Sequence, residues 1–252
     1  MPTALALSPH LDDAAFSCGG LLASLAQAGW RVVMVTLFTG SVAEPKGFAL
    51  ACQLDKGLGP EIDYMALRRD EDVRAAAALG IAPPVHLPFR EAPHRGYGSA
   101  PELFAETRAD DGIADDLAPA VAALIAADKP DLLLAPQAIG GHVDHVQVVR
   151  ALRGLDPLLP ILWWRDFPYT VREAAPREPL ADLFAELPEA TVTLDPECQA
   201  RKRAACAAYA SQIGFQFGGV AGLDARLARE TGTERFRRSR RGGPTIPGLD
   251  AG

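Results

Sequence analysis

Residues 3–14, TALALSPHLDDA, decide the fold of this chain, because a short apolar run leads there directly into a His/Asp cluster. The run predicts a buried strand, and His10, Asp12 and Asp13 follow at the point where that strand ends. A second cluster, GGHVDH at residues 140–145, follows another apolar run in the same way. Ligands of open α/β sheets bind at the carboxyl ends of the strands, so the two clusters are expected to meet there.

Strand and helix signals alternate along the chain, which predicts a parallel sheet. The run RVVMVTLF at residues 31–38 is typical of a strand buried on both faces. We expect an α/β fold with a Rossmann-like, doubly wound, mostly parallel sheet and helices on both faces, in a single domain over residues 1–234. The Arg/Gly/Pro-rich residues 235–252 are expected to form a mobile tail or a solvated flap. Strands are predicted over 3–7, 31–38, 85–87, 132–135, 161–164 and 191–194. Helices are predicted over 16–28, 64–79, 113–127 and 197–209, and a further helix is predicted from the second cluster to about residue 152.

Composition excludes several classes of protein. The 252 residues are 48% hydrophobic and 23% charged, as in ordinary globular proteins, and the net charge of −7 argues against a nucleic-acid partner. No apolar run approaches the roughly 20 residues of a membrane span. The N-terminal apolar run leads straight into His10 and is interpreted as a strand, so we expect a cytoplasmic protein. The four cysteines form no CxxC pair, and we expect reduced thiols.

The first cluster has the residue types of a catalytic divalent-metal site, since imidazole and carboxylate are ligands that zinc and iron prefer. His10 and Asp13 are three residues apart on a turn leading into a helix, so their side chains can point the same way. Asp12 projects differently, near the metal but not on it, which suits a general base acting on a metal-bound water. Taken alone, two aspartates after a strand are also typical of a helix N-cap.

The second cluster completes this hypothesis. His142 and His145 are also three residues apart at a helix start, so that one can complete a His-Asp-His site while the other faces the substrate. Asp144 could then hold the second ring in one tautomer. Three protein ligands with one open position are typical of a catalytic metal site, whereas a structural zinc site is closed by four ligands.

These motifs resemble those of the PIG-L/LmbE-like N-acetylglucosaminyl deacetylases. That family carries His-Pro-Asp-Asp-Glu after its first strand and Gly-His-x-Asp-His after a later one, where this chain has HLDDA at 10–14 and GHVDH at 141–145. The departures are Leu11 for proline and Ala14 for glutamate. The resemblance implies zinc bound by His10, Asp13 and His145, Asp12 as the base, and His142, steered by Asp144, as the group that stabilises charge or protonates the leaving amine.

Further residues extend the candidate site towards a substrate. The stretch RRDE at 68–71 resembles the family's Arg-containing helix, which makes Arg68 a candidate for holding substrate hydroxyls. Lys202 with Ser211 and Gln212 resembles its C-terminal signature. Three other side chains follow predicted strand ends and are candidates for contact with a sugar: His94, Arg95 and Tyr169.

The expected activity is a metal-dependent removal of an N-acetyl group from a GlcNAc-type sugar or glycoconjugate, with release of acetate. Zn²⁺ is the expected cofactor, although a site of two His and one carboxylate also accepts Fe²⁺. The expected partner is a small N-acetylated molecule, without nucleic acid or membrane, and the oligomeric state stays open. Alternatives are a metal-dependent amidase on a thiol or other conjugate, and a non-catalytic carbohydrate-binding protein. A Rossmann methyltransferase would need a glycine-rich first turn, which His-Leu-Asp-Asp replaces here.

Overall fold

The apolar run that opens the chain forms the middle strand of a sheet. In the computed structural model, which describes residues 1–155, 157–172, 174–239 and 244–250, this strand is β1 (Thr3–Ser8), buried along its whole length. It pairs in parallel with β2 (Arg31–Thr36) on one side and with β4 (Leu132–Pro136) on the other. The chain therefore winds outward in opposite directions from β1 and β4, and the crevice between their carboxyl ends is the topological switch point.

Four further strands complete the sheet in the described part of the chain. β2 and β4 pair in parallel with β3 (Val85–His86) and β5 (Ile161–Trp164), respectively. Two antiparallel strands, β6 (Glu189–Thr193) and β7 (Thr233–Arg238), extend the sheet beyond β5, in the order β3-β2-β1-β4-β5-β7-β6. The prediction of a mostly parallel, doubly wound sheet is confirmed.

Helices cover both faces of this sheet, as predicted. The small residues Ala4 and Ala6 of β1 face the core under one helical layer, whereas Leu5 and Leu7 face the other core. One layer contains α1, α3 and α9, and the other contains α5 and α6. The helices are α1 (Asp13–Gln27), α2 (Gly47–Leu54), α3 (Tyr64–Leu79), α4 (Ala100–Leu103), α5 (Ile113–Asp128), α6 (Val143–Leu155), α7 (Tyr169–Arg172), α8 (Ala181–Phe184), α9 (Pro196–Ala207), α10 (Ala210–Phe217) and α11 (Val220–Leu227).

Helix α3 begins and ends at the predicted residues because both of its ends are capped. The Asp63 carboxylate accepts a hydrogen bond from the backbone N–H of Ala66 at 2.9 Å. Gly80 follows the helix with a φ of 76°, the left-handed conformation that a glycine adopts at little cost. This helix carries Arg68, so its fixed register also fixes where that side chain enters the interior.

The antiparallel strand β7 was not predicted, and the expected tail boundary at Arg235 is wrong, because residues 235–238 lie inside this strand. The buried residues Glu234 and Phe236 alternate with arginines, so one face of the strand points inward. The arginines on the other face suggested a solvated tail. Further along, Leu249 bridges to Val192 of β6. The remaining tail residues 240–243 and 251–252 lie outside the described residues.

Helix α1 is kinked where it passes the sheet, at Cys18, which has φ −136° and ψ 18°. The kink releases backbone N–H groups, and the buried Glu234 carboxylate accepts those of Gly20 and Leu21 at 2.9 and 2.8 Å. The Lys202 ammonium from α9 lies 2.9 Å from Glu234 and 2.7 Å from Glu230. A buried ion-pair network therefore joins α1, α9 and β7.

We expect Lys202→Ala to lower the free energy of unfolding by about 3 kcal/mol, because it leaves buried carboxylates without their cation. Arg201→Ala, on the same helix, removes only an exposed pair with Glu197 and should cost at most about 1 kcal/mol. Urea denaturation followed by circular dichroism measures both. Equal losses in the two variants would show that the buried network contributes nothing of its own.

The four cysteines are not paired with one another. Across the described ranges we find no helix whose length and apolar character would suffice to cross a bilayer.

Candidate metal centre

The turn after β1 is held by its own side chains. The Ser8 hydroxyl donates to the backbone carbonyl of His10 at 2.7 Å and accepts from the N–H of Ala14 at 3.0 Å. Oδ2 of Asp13 accepts from the backbone N–H of His10 at 2.7 Å and lies 3.3 Å from Nδ1 of the same residue. The predicted pairing of His10 with Asp13, three residues apart, is therefore present.

The turn after β4 depends on two glycines. Gly140 and Gly141 have φ values of 94° and 80°, which disfavour other residues. A Cβ at Gly140 would also meet the ring of Tyr169 at 2.5 Å. The turn brings His145, in the first turn of α6, into the interior, where its Nε2 lies 3.1 Å from Oδ2 of Asp13. The two motifs therefore meet across the switch point, as predicted.

A set of donor atoms for a divalent ion converges here. One ring nitrogen from each of His10, His142 and His145 lies within 4.8 Å of the other two. Oδ2 of Asp13 is within 3.3 Å of Nδ1 of His10 and of Nε2 of His145. Two imidazoles directed at one carboxylate oxygen, with a third imidazole beside them, are a donor set that a divalent transition metal accepts. The residues present therefore fit a divalent metal.

Two carboxylates orient the histidines from behind. Oδ2 of Asp144 lies 2.8 Å from Nε2 of His10, and Oδ1 of Asp166, which follows β5, lies 2.8 Å from Nδ1 of His145. His10 and His145 thus each have one nitrogen held by a carboxylate and the other nitrogen directed at Asp13. This arrangement fixes ligating imidazoles in metal sites.

The expected contact between the Asp144 carboxylate and the His142 ring is not formed. Oδ2 of Asp144 is 4.0 Å from Nδ1 of His142. That nitrogen instead accepts the backbone N–H of Asp144 at 3.2 Å, so it already has a partner. The carboxylate turns to His10 and to the Arg95 guanidinium, 2.7 Å from Oδ1. Although burial acts in the opposite direction, His10 and Arg95 lower the pKa of the Asp144 carboxyl.

Asp12 lies beside the donor set and not within it. Its buried Oδ2 accepts from Nε2 of Gln216 at 3.1 Å and is 3.8 Å from the Arg68 guanidinium. Burial, together with the neighbouring Asp13 carboxylate, raises the pKa of Asp12 to about 7. Burial, together with the charge of His10, lowers the pKa of His142 to about 3. The site thus places a carboxyl that can exchange a proton near neutral pH close to a neutral imidazole.

A cavity of about 320 Å³ opens onto these side chains. Its lining combines the polar groups of the centre with the aromatic rings of Phe48, Phe104 and Phe215. The Phe104 ring lies 5.3 Å from that of His142, centroid to centroid, whereas Phe215 is 63% exposed. A cavity that combines convergent polar groups with aromatic rings is typical of a site for a small organic molecule. Its lining also includes Lys56, Tyr64, Arg68, Glu91, Leu103, Pro168, Tyr169, Arg172 and Gln212.

Two of the four predicted substrate contacts lie in this cavity. Arg68 lines it, although its Nη1 also pairs with Glu91 at 2.6 Å. Tyr169 lines it next to Phe104, with ring centroids 5.9 Å apart.

The other two predicted contacts lie elsewhere. Arg95 is bound on the inside by Asp111 and Asp144, so its guanidinium supports the centre from behind and is not part of the cavity lining. His94 lies at a small adjoining cleft and is also absent from that lining. Both belong to the loop that follows β3, in which Glu91 and Pro93 line the cavity but His94 and Arg95 do not.

Sequence reasoning missed two groups that touch the centre. Asp166 directly follows strand β5, the same position that pointed to the two motifs, so its signal was present. Gln216 lies on α10, which no sequence pattern predicted, and nothing in the sequence relates it to Asp12.

We expect Asp144→Asn to weaken metal binding by about 10- to 100-fold, because the amide provides a weaker partner for His10. Asp131→Asn is a matched control, since its carboxylate binds the N–H of Thr3 at the opposite end of the sheet. Competition with a chromophoric chelator measures both affinities. If the Asp144 variant binds metal like the Asp131 variant, the carboxylate does not support the centre.

Comparison with known proteins shows where this combination of fold and site occurs. Residues 5–156 match the model of the family described as PIG-L, GlcNAc-PI de-N-acetylase. The chain is 36% identical to 2′-N-acetylparomamine deacetylase of Streptomyces fradiae over 71% of its own length and 66% of that enzyme. It is 30% identical to 1D-myo-inositol 2-acetamido-2-deoxy-alpha-D-glucopyranoside deacetylase of Nakamurella multipartita, over 98% of this chain and 92% of that one.

Solved structures agree with these relatives. The zinc-inhibited form of teicoplanin deacetylase superposes with a TM-score of 0.75 at 26% identity, over 95% of this chain and all of the other. A structure of a deacetylase–teicoplanin complex gives a TM-score of 0.77, also at 26% identity, over 95% of this chain and 99% of that one.

Proposed function

The chain belongs to the PIG-L family of GlcNAc-PI de-N-acetylases, and on that basis we propose that it is a metal-dependent deacetylase that hydrolyses the acetamide of a GlcNAc-type sugar or glycoconjugate to a free amine and acetate. The observation that carries this proposal is the convergence of His10, Asp13 and His145 beside the carboxyl of Asp12, which faces Gln216 and Arg68 instead of these donors. A protein that only bound carbohydrate would not need this donor set.

The proposed ligands are Nδ1 of His10, a carboxylate oxygen of Asp13 and Nε2 of His145. The choice of Asp13 over His142 as the third ligand follows from the partners of the rings. His10 and His145 each have their other nitrogen against a carboxylate, and their remaining nitrogens both face Oδ2 of Asp13. Zn²⁺ is the proposed ion, with Fe²⁺ as the alternative that this donor set also accepts. When bound, the ion supplies Lewis-acid polarisation of the acetyl carbonyl and of the attacking water.

Asp12 is the proposed general base. Its carboxyl lines the cavity beside the ligands, and Gln216 and Arg68 hold one of its oxygens while the proton is exchanged. As water adds to the acetyl carbon, Asp12 takes the proton from that water. When the C–N bond breaks, Asp12 returns the proton to the leaving nitrogen, so that the amine and acetate are released with the base regenerated.

His142 is the proposed stabiliser of the oxyanion. Its Nδ1 accepts the N–H of Asp144, which leaves the hydrogen of the neutral ring on Nε2. A neutral imidazole with this tautomer donates a hydrogen bond to negative charge that develops on the acetyl oxygen. The low pKa of His142 favours this role over that of a cationic acid.

The substrate proposal rests on the cavity and on the relatives. Arg68 and Tyr169 are proposed to contact the sugar hydroxyls and the sugar face, respectively, because both line the cavity next to the centre. The rings of Phe48, Phe104 and Phe215 would contact the group to which the sugar is attached. The two relatives described above act on 2′-N-acetylparomamine and on 1D-myo-inositol 2-acetamido-2-deoxy-alpha-D-glucopyranoside, so both compounds are candidates here.

The test combines elemental analysis with an assay of acetate release. The purified protein is loaded with Zn²⁺ or Fe²⁺ and incubated with 2′-N-acetylparomamine, GlcNAc-inositol and free GlcNAc, with the same protein after chelation as the control. About one metal per chain with metal-dependent acetate release is expected. Bound metal without acetate release from any N-acetylated sugar would move the reaction to another amide, and absence of metal binding would overturn the proposal.

A further inference from the structure

A second cavity, of about 210 Å³, lies on the other side of helix α7 from the candidate metal centre. Thr170 and Val171 of this helix line the second cavity, whereas Tyr169 and Arg172 line the catalytic one. Three arginines and two further hydroxyl residues also line it, and we call this second cavity the arginine cleft. Its lining residues are Ser17, Arg165, Thr170, Val171, Arg229, Glu230, Thr233 and Arg235.

The positive charge of the arginine cleft is only partly compensated. Its one carboxylate, Glu230, lies 2.7 Å from the buried ammonium of Lys202. Arg165 has a single partly exposed pair with Glu178 at 3.5 Å. In the described part of the chain no carboxylate is within ion-pair distance of Arg229 or Arg235. Guanidinium groups brought together in this way repel one another unless an anion lies between them.

The cleft also offers hydrogen bonds that its own residues leave unused. Ser17 is 4% exposed, and its hydroxyl accepts the N–H of Phe167 at 3.1 Å. Among the described residues, the hydrogen of that hydroxyl has no acceptor. Arg229 donates one N–H to the carbonyl of Val171 and has further N–H groups to offer. Three guanidinium forks with a buried hydroxyl match a tetrahedral dianion better than a planar carboxylate, which presents only two oxygens.

We propose that the arginine cleft binds a phosphate group, carried by a small monoester or free in solution. The cavity volume is enough for a phosphate with a small polar substituent and is too small for a nucleotide to enter whole. Because Arg226 and Arg229 both donate to the carbonyl of Val171, a ligand that engages Arg229 acts on α7, which separates the cleft from the catalytic cavity.

The test is isothermal titration calorimetry of the metal-loaded protein at constant ionic strength. The probes are sodium phosphate, glucose 6-phosphate, glucose and sodium acetate. We expect a Kd for phosphate on the order of 1 mM, and about tenfold weaker binding by Arg235→Gln and by Arg229→Gln, since each loses a charge-assisted pair. Arg74→Gln, an exposed arginine of α3 away from the cleft, is the matched control and should bind like the wild type.

The outcomes separate the possible ligands. Tighter binding of glucose 6-phosphate than of inorganic phosphate, with no binding of glucose, identifies a monoester, and the reverse order identifies free phosphate. Binding of acetate as tight as that of phosphate would overturn the assignment of a dianion. Unchanged phosphate binding in both cleft variants would place the phosphate on the catalytic metal and overturn the proposal. None of these outcomes depends on whether the protein deacetylates sugars.

Discussion

Replacement of Asp12 by asparagine is expected to lower kcat for acetate release by about 10³-fold and to leave the metal content unchanged. The amide cannot take a proton from water, whereas the proposed ligands His10, Asp13 and His145 are untouched. The neutral side chain also fits the same space and can keep its contact with Gln216. Steady-state kinetics with an acetate-detecting assay and elemental analysis of the same samples measure the two quantities.

The control for this variant is Asp70→Asn, which makes the same chemical change on the exposed side of α3 and should keep wild-type activity. A loss of metal in Asp12→Asn would show that this carboxyl is itself a ligand. Retention of more than about a tenth of the activity would show that the proton goes elsewhere.

Replacement of His145 by alanine is expected to abolish both metal binding and acetate release. This ring is 1% exposed and is held by Asp166 on one nitrogen, with the other facing Asp13, so its removal leaves only His10 and Asp13 of the proposed ligands. Two remaining ligands hold a divalent ion much less tightly than three do, and the loss also removes the polarisation on which the reaction depends. Elemental analysis after dialysis and the acetate assay test both expectations.

His94→Ala is the matched control for the histidine variant, because His94 lies outside the cavity at the candidate metal centre despite its predicted contact with substrate. It should retain metal and keep its activity within about a factor of two. If His145→Ala keeps its metal but loses activity, the third ligand beside His10 and Asp13 is His142 and not His145. If His94→Ala loses activity with intact metal, the loop that carries it reaches the substrate after all.

The positions of the proposed metal-site residues could be predicted because each depends on local sequence. His10, Asp12 and Asp13 directly follow the apolar run of β1, and the spacing of His142 and His145 places both at the start of α6. The parallel order of the strands then brings the two turns together without further information. Helix α3 was also predicted over its full length because its cap residue and its terminal glycine are adjacent to it in sequence.

The features that were missed depend on contacts between distant segments. Asp144 was expected to hold the ring of the nearby His142, but it holds His10, which is 134 residues away. Strand β7 carries three arginines and one glutamate in a pattern that suggested a tail, and only its pairing with β5 and β6 makes it a strand. Gln216 reaches Asp12 across 204 residues from a helix with no recognisable signal. Such contacts are decided by tertiary packing, which the local pattern does not encode.

Both edges of the sheet leave little backbone available for pairing with another molecule. At one edge, β3 has two residues, Val85 and His86, which is too short to serve as a template for another strand. At the other edge, the C-terminal segment occupies the free side of β6, with hydrogen bonds from Thr193 N–H to the carbonyl of Gly248 and from Asp250 N–H to that of Thr191. A self-associated form of this protein would consequently join through helices or loops, and removal of residues 244–252 would uncover an edge on which chains could aggregate by intermolecular sheet extension.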